Sequence, residues 1–361
     1  MAAPHAPDAD AEAEAFAALA ERFRPQLHLH CYRLVGSVDD ADDLVQDTLL
    51  RAWRSRATFQ GRANFGTWLY RIATNACLNA LTRSPRRRRL PQSVVTPVTA
   101  STHASEAREE PPWAPDAHWL QPYPDNRLDL VAASLAAESQ PETAALTRES
   151  VELAYLAALQ QLPPRQRAVL ILREVLDWSA RETAEALETS VAAVHSAHQR
   201  ARGTLRAHHV ISPPLTTTNR WPSTTPARTE PTDAERRALQ AFIAAWEAAD
   251  TPRLVALLCE DARWAMPPAA LWFDGRAAIE RLYTLYPIDL HGRTFKLVPV
   301  GANRQPAAAA YVKSKGESDF VFTALHVLRV DLSGAIAEVI TFGPTLCGAF
   351  DLPRILPGAL C

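Results

Sequence analysis

Between Arg51 and Leu90 the chain carries ten arginines and no aspartate or glutamate, with Trp53, Phe59, Phe65, Trp68 and Tyr70 interleaved. Guanidinium groups beside aromatic rings suit single-stranded nucleic acid, because phosphates meet the arginines and unstacked bases meet the rings. Just upstream, Asp39, Asp40, Asp42, Asp43 and Asp47 fall within nine residues. An acidic patch beside a basic one implies two partners of opposite charge; the plainer alternative is a pair of solvated faces. A second basic array follows, and no acid occurs from Thr189 through Thr229. There Ala193, His195, Ser196, Gln199, Arg200 and Arg202 share the outward face of one helix. Such a face suits base edges and phosphates in a DNA major groove.

The elements that must position these groups are helical. Ser179 and Glu182 make a capping box that starts a short helix, and Ala184 lets a second helix cross it closely. After the Glu188-Thr189 turn, Ser190 caps that second helix, and Val191, Val194, Ala201 and Leu205 give it an inward face. The pattern is a helix-turn-helix; an ordinary helical hairpin with a solvated basic face is the alternative. His198 falls on the inward face, where a half-buried ring weakens packing. Toward the N-terminus, Phe16, Leu19 and Phe23 begin an amphipathic pattern, and Gly36 closes a second helix. Ser37 or Asp39 caps the next, whose buried side draws on Leu44, Leu49, Leu50 and Trp53. A long helix over residues 64–83 turns Leu69, Ile72, Ala73, Ala76 and Ala80 inward.

A chain of 361 residues holds two to three domains, and a net charge of −2 makes the basic character local. Five widely spaced cysteines with no Cys-x-x-Cys argue for a reducing compartment without a disulfide framework or zinc site. His28-Leu-His30-Cys31 is too short for a four-ligand site, so neither metal nor cofactor is expected. No apolar run reaches the ~20 residues that span a bilayer. The acidic N-terminus is no signal peptide, so a soluble cytoplasmic protein without membrane partners is expected. From Pro91 to Ser150, nine acids face three arginines among many prolines. This segment is either a solvated linker or an acidic strap lying in a channel built for nucleic acid. Trp113, Trp119 and Tyr123 are costly to leave in water, so residues 117–130 should pack on something.

A second Pro/Thr/Ser-rich linker spans 210–232. Beyond it, 238–250 and 252–259 read as helices, 262–266 as a strand, and a helix follows Gly275 through Tyr286. Strands follow at 294–303, 306–313, 319–330 and 335–343, with a hairpin turn at Asp331-Leu-Ser-Gly334. Helices followed by antiparallel strands imply an α+β domain.

Asp40-Ala-Asp-Asp-Leu-Val-Gln-Asp-Thr-Leu-Leu-Arg-Ala-Trp53, followed by Gly66-Thr-Trp-Leu-Tyr-Arg-Ile-Ala-Thr-Asn-Ala-Cys-Leu-Asn79, resembles region 2 of bacterial sigma-70 family factors of the extracytoplasmic-function (ECF) subgroup. Leu162-Pro-Pro-Arg-Gln-Arg-Ala-Val-Leu170 and the helix-turn-helix resemble region 4 of the same family. Trp119-Leu-Gln-Pro-Tyr-Pro-Asp125 and the C-terminal third resemble the SigG-like branch, which carries a SnoaL-like (NTF2-like) extension. Phe242, Trp246, Asp250, Leu258, Asp261, Met266-Pro-Pro268 and Gly275-Arg276 match that extension's pattern.

The resemblance implies a multidomain protein: two all-α sigma domains, then an α+β domain with a cone-shaped sheet. Region 2 would span 9–84, a linker 85–148, region 4 149–209, a second linker 210–232, the SnoaL-like domain 233–345 and a tail 346–361. Its partners would be core RNA polymerase and promoter DNA, and the resemblance leaves open an anti-sigma factor or a small ligand of the C-terminal domain. Asp43, Gln46 and Asp47 match the positions that grip polymerase, and their spacing places them on one helix face. Asn75 and Asn79 match positions facing the −10 element, with Arg71, Arg86 and Arg87 near phosphates. Trp68 is either core or a wedge at the melting junction. Ser190, Ala193, His195, Ser196, Gln199, Arg200 and Arg202 would address the −35 element. Ala197 stands where many relatives carry Arg, and His198 where they carry Leu.

The extension could be an enzyme, a ligand sensor or a brake. Asp261, Asp274, Asp319, Tyr311 and His326 are the plausible proton-transfer residues, with no telling spacing among them. Regulation of the sigma core, without catalysis, is the expectation that the resemblance favours. A free-standing helix-turn-helix regulator, or a SnoaL-type enzyme or sensor fused to a DNA-binding module, is the competing reading.

Overall fold

The computed structural model describes residues 9–59, 64–83, 88–99, 118–137, 151–208, 231–285, 288 and 292–358. Arg86, Arg87, Trp113 and most of the 210–232 segment lie outside them. The chain forms two compact units. One gathers residues up to Arg87, 126–150 and 154–226; the other gathers 88–125, 151–153 and the chain from Ala227 onward.

The first unit is helical. Helix α1 (Ala9–Val35) packs on α2 (Val38–Ser55) and α3 (Phe65–Arg83). The two helices expected before Gly36 are one, continuous through Pro25. Pro25 removes a single ladder bond, and burial of Phe23, Leu27, Cys31 and Leu34 on one stripe carries the helix past it. That stripe includes Ala20, while Leu19 sits at the rim, 37 % exposed. Ser37 caps α2 by accepting from the Asp40 amide, and Val38, Ala41, Leu44, Val45, Thr48 and Ala52 face inward. Leu50, expected inside, is half exposed. Gly66 lets α3 approach α1, because a Cβ there would lie 2.7 Å from the Phe23 ring.

Helix α4 (Asp125–Ala137) is tied to α1 and α2 through Arg127, which donates to Asp42 at 3.1 Å, and through Ser134, which accepts from Gln26 at 2.9 Å. Helices α5 (Leu153–Gln161) and α6 (Pro164–Leu170) lead through a π-helical turn (Ile171–Val175) to α7 (Ala180–Ala186) and α8 (Val191–His208). The capping box at Ser179 and Glu182 is formed, and Ser190 accepts from the Ala193 amide. Val194, Ala201 and Leu205 are buried; Val191, expected with them, is exposed.

The second unit is built on a mixed sheet in the order β2-β1-β6-β5-β4-β3, with β7 on β5. The strands are β1 (Leu258–Ala265), β2 (Trp272–Asp274), β3 (Thr294–Ala302), β4 (Gln305–Lys313), β5 (Phe320–Val330), β6 (Ile336–Phe342) and β7 (Ile355–Leu356). Among the strand pairs of the described residues, β1 and β6 run parallel and the others antiparallel. Helices α9 (Asp233–Glu247), α10 (Thr251–Ala256) and α11 (Arg276–Leu285) cover one face, and Phe242, Trp246, Trp264, Ile279 and Val339 share that core. The helix expected to reach residue 259 stops at Ala256, and the chain enters the sheet at Leu258 instead. Short β2 has no alternating pattern; its edge pairing with β1 creates it. Ala307 to Ala310 on β4 are all buried, so both faces of that strand are covered.

The segment 88–125 belongs to this unit. Arg89 and Trp119 form a β-bridge, and Val98 pairs with Phe273 at the β2 edge. Leu120 and Tyr123 are buried, as expected for aromatic and apolar residues with nowhere else to hide. The grip lies in the β3–β4 turn, where Asn303 and Arg304 both have positive φ, as a two-residue hairpin requires. The Asn303 side chain accepts from the Tyr123 amide at 2.8 Å and donates to the Val151 carbonyl at 2.6 Å. Asp125 accepts from the Arg304 amide at 2.8 Å, and Gln305 accepts from the Leu153 amide at 3.1 Å. Gly301 admits the Asp125 carboxylate, which a Cβ would meet at 2.3 Å.

Each unit encloses a neutral histidine. Burial pulls His30 and His326 down to about 3. Their folded pKa values lie below the unfolded one, so the unfolded chain takes up protons first and stability falls as pH drops below about 6.5. At pH 5 each should have withdrawn about 2 kcal/mol. Thermal melts from pH 8 to 5 should show the loss, and His326→Phe should flatten the C-terminal unit's share; a pH-independent melt would contradict it.

Candidate nucleic-acid interface

The acidic run divides by helix face. Asp42 turns to Arg127 and His28; His28 Nε2 lies 2.8 Å from Arg127 Nη1 and 3.2 Å from Asp42 Oδ1. This absorbs His28, and His30 pairs with the Thr74 hydroxyl at 2.8 Å. Burial pulls the His28 pKa to about 4, against the Asp42 charge. Asp43 and Gln46 are exposed, and half-exposed Asp47 pairs with Arg51 at 2.7 Å one turn on. Leu50 continues this row and is 50 % exposed. Sequence reasoning missed Leu50 as a surface residue: an apolar side chain on an amphipathic helix is first assigned to the core. An acidic row ending in an exposed leucine can dock a basic helical partner with an apolar seam.

The aromatic residues of the basic stretch form a half-buried ladder. Phe16 packs on Trp53 and Phe65, and Phe65 and Phe59 both pack on Trp68 at ring distances of 5.2–5.8 Å. Trp68 is therefore neither sealed core nor a free wedge; one face is supported and the rest reaches the surface. Arg56 lies over the Trp53 ring at 3.8 Å.

On α3, Asn79 is exposed, whereas Arg71 and Asn75 have partners. Arg71 lies 3.4 Å from Glu188 in the helix-turn-helix turn, and Asn75 donates to the Ala186 carbonyl at 3.3 Å. Tyr70 meets Trp178 edge to face. Deeper in, the buried Arg167 guanidinium donates to the carbonyls of Leu34, Gln160 and Leu162, and Gln160 donates to the Arg33 carbonyl. These side chains satisfy carbonyls that α1 and α5 leave open at their ends.

On α8, Ala193, His195, Ser196, Gln199 and Arg200 are exposed along one side, opposite the buried stripe. Ser190 is exposed and serves as the cap; Arg202 is half exposed. His198 is half-buried at the edge of that stripe and has a polar partner. Its Nε2 lies 2.8 Å from Glu174, a partner that sequence spacing could not reveal across 24 residues.

The five enzyme candidates are not brought together. Asp261 accepts from Cys259, Asp274 pairs with Arg263, Asp319 accepts from the Gly358 amide, and Tyr311 donates to the Pro353 carbonyl. His326 is walled in by Phe242, Trp246 and Trp264, with Nδ1 2.9 Å from the Thr341 hydroxyl. A cleft lined by Arg88, His118, Trp119, Pro267, Pro268 and Phe342 holds none of the five. Among the described residues no helix is long and apolar enough to cross a membrane.

Comparison with known families matches residues 19–88 to Sigma-70 region 2, 152–205 to Sigma-70 region 4 and 239–339 to a SnoaL-like domain. The ECF RNA polymerase sigma factor SigG of Mycobacterium tuberculosis is 40 % identical over 343 residues, which cover 94 % of this chain and 85 % of the relative. SigW of Bacillus subtilis is 26 % identical over 193 residues, or 54 % of this chain and 88 % of that one. The crystal structure of the M. tuberculosis ECF sigma factor SigJ shares the fold, with a TM-score of 0.55 at 20 % identity over 94 % of this chain and 99 % of that one. The helical interface and the C-terminal domain thus occur together in a full-length relative, and the chain belongs to the extracytoplasmic-function family of RNA polymerase sigma factors.

Proposed function

We propose that this sigma factor is regulated by its own C-terminal domain, which acts by holding the linker between regions 2 and 4 and catalyses no reaction. As a sigma factor it binds core RNA polymerase and promoter DNA. The observation that carries the regulatory reading is the β3–β4 turn, where Asn303 and Gln305 bond to residues 123, 151 and 153. Region 4 is joined to region 2 through those residues, so the turn bears on how far the two DNA-reading regions can separate. The scattered acids and the aromatic enclosure of neutral His326 support a non-catalytic role.

Within the core, Asp43, Gln46 and Asp47, with Leu50 beside them, hold polymerase. Trp68, Arg71, Asn75 and Asn79 take the −10 strand, with Arg86 and Arg87 on phosphates, and α8 reads the −35 duplex. Arg71 and Asn75 are engaged by the helix-turn-helix in the free chain, so strand capture requires that segment to move away.

Three outcomes test these assignments. Asp43→Arg combined with Asp47→Arg should abolish core polymerase binding in a pull-down while leaving the circular dichroism spectrum unchanged; undiminished capture would remove the assignment. Asn75→Ala should lower open-complex formation about tenfold to a hundredfold, the worth of a paired base contact, with permanganate reactivity of the melted strand as readout. Truncation after His209 should alter promoter activity, and Asn303→Ala should alter it in the same direction. If both transcribe as wild type at every promoter tested, the linker-holding reading is wrong.

A further inference from the structure

Beneath the recognition helix lies the acid that meets His198. Glu174 sits in the π-helical turn before the helix-turn-helix, and its side chain is 14 % exposed. Its Oε1 lies 2.8 Å from His198 Nε2 and 3.6 Å from Arg202 Nε. At 100° per residue, His198 and Arg202 occupy the rim of α8, between the buried Val194–Ala201–Leu205 stripe and the exposed His195–Gln199 row. Glu174 therefore places a carboxylate at the edge of the DNA-facing row. The Arg202 side chain, 41 % exposed, reaches both that carboxylate and solvent. Arg200 lies on the outward side, 2.5 Å from Ser196 Oγ, away from Glu174. All these groups belong to the region 4 helices, so the arrangement persists when regions 2 and 4 separate.

We infer that Glu174, pinned by His198, competes with the DNA backbone for Arg202 and so sets the affinity of region 4 for promoter duplex. Glu174 is a positioning residue that acts through Arg202 and touches no DNA. A phosphate approaching Arg202 must displace the carboxylate and meets its negative charge. A leucine at 198 would leave the carboxylate free to swing toward water; the histidine holds it in place. The inference rests on the reading of α8 as the −35 helix.

The test is the salt dependence of duplex binding by holoenzyme assembled from the full chain, on a duplex selected from a randomised pool by the wild-type holoenzyme. Glu174→Gln keeps an acceptor for His198 and removes the charge. It should steepen the slope of log K against log salt by about 0.9, one added phosphate contact, and raise affinity severalfold. Arg202→Ala should lower the slope of the Glu174→Gln protein by about 0.9 and lower the wild-type slope by clearly less, because Glu174 already holds part of the Arg202 charge there. If Glu174→Gln unfolds region 4, the same comparison with His198→Leu, which unpins the carboxylate, should steepen the slope in its place. Equal slopes in all backgrounds, or an equal loss from Arg202→Ala in both, would overturn the inference while upstream base substitutions still weaken binding. Wild-type binding that ignores those substitutions would overturn the reading of α8 and the inference with it.

Discussion

A helix that ends inside a protein leaves carbonyls that must find donors, and the helical unit depends on how α1 solves this. Its last turn ends against region 4 helices, where water cannot serve. The Arg33 and Leu34 carbonyls are taken by Gln160 and Arg167, both almost fully buried. The buried guanidinium is tolerable here because its donors meet carbonyls at the negative ends of two helices. Removing Arg167 would leave several acceptors dry together, at about 1–3 kcal/mol each. The weaker contacts at the DNA-reading face, Arg71 with Glu188 and Asn75 with Ala186, are exposed or half exposed and contribute little alone. They place region 4 over region 2, while the buried pair carries the energy.

The C-terminal unit meets the same demand with different chemistry. A linker crossing a protein surface brings amides and carbonyls that its own sequence cannot pair. One asparagine supplies both an acceptor and a donor, so Asn303 satisfies Tyr123 and Val151 at once. The positive φ of Asn303 and Arg304 keeps the turn tight and projects that side chain. Gly301 clears space for Asp125, whose carboxylate fixes the start of α4.

Much of this was legible from residues alone. The Ser179–Glu182 capping box, the β3 to β6 strands and the packing of Tyr123 follow from local pattern, because caps and alternation are short-range chemistry. The acidic face of α2 and the outward row of α8 were equally plain. The errors have one origin: amphipathic periodicity gives a stripe but not its register. Leu19, Leu50 and Val191 were assigned inward and lie outside, while Ala20 fills the place given to Leu19. Long-range polar pairs, such as Glu174 with His198, Asn75 with Ala186 and Asn303 with Val151, leave no trace in spacing.

The alanine run of β4 has a consequence for how this domain can vary. Ala307, Ala308, Ala309 and Ala310 alternate between the two faces of the sheet, and each is buried. Small side chains let the covering layers settle close to the backbone, leaving no slack on either side. Substitution there is one-sided: losing a methyl leaves only a small void, while adding one pushes a whole layer outward. Sequence drift in this strand is thereby confined to the smallest residues, and the spacing between helices, sheet and linker becomes an inherited dimension of the domain.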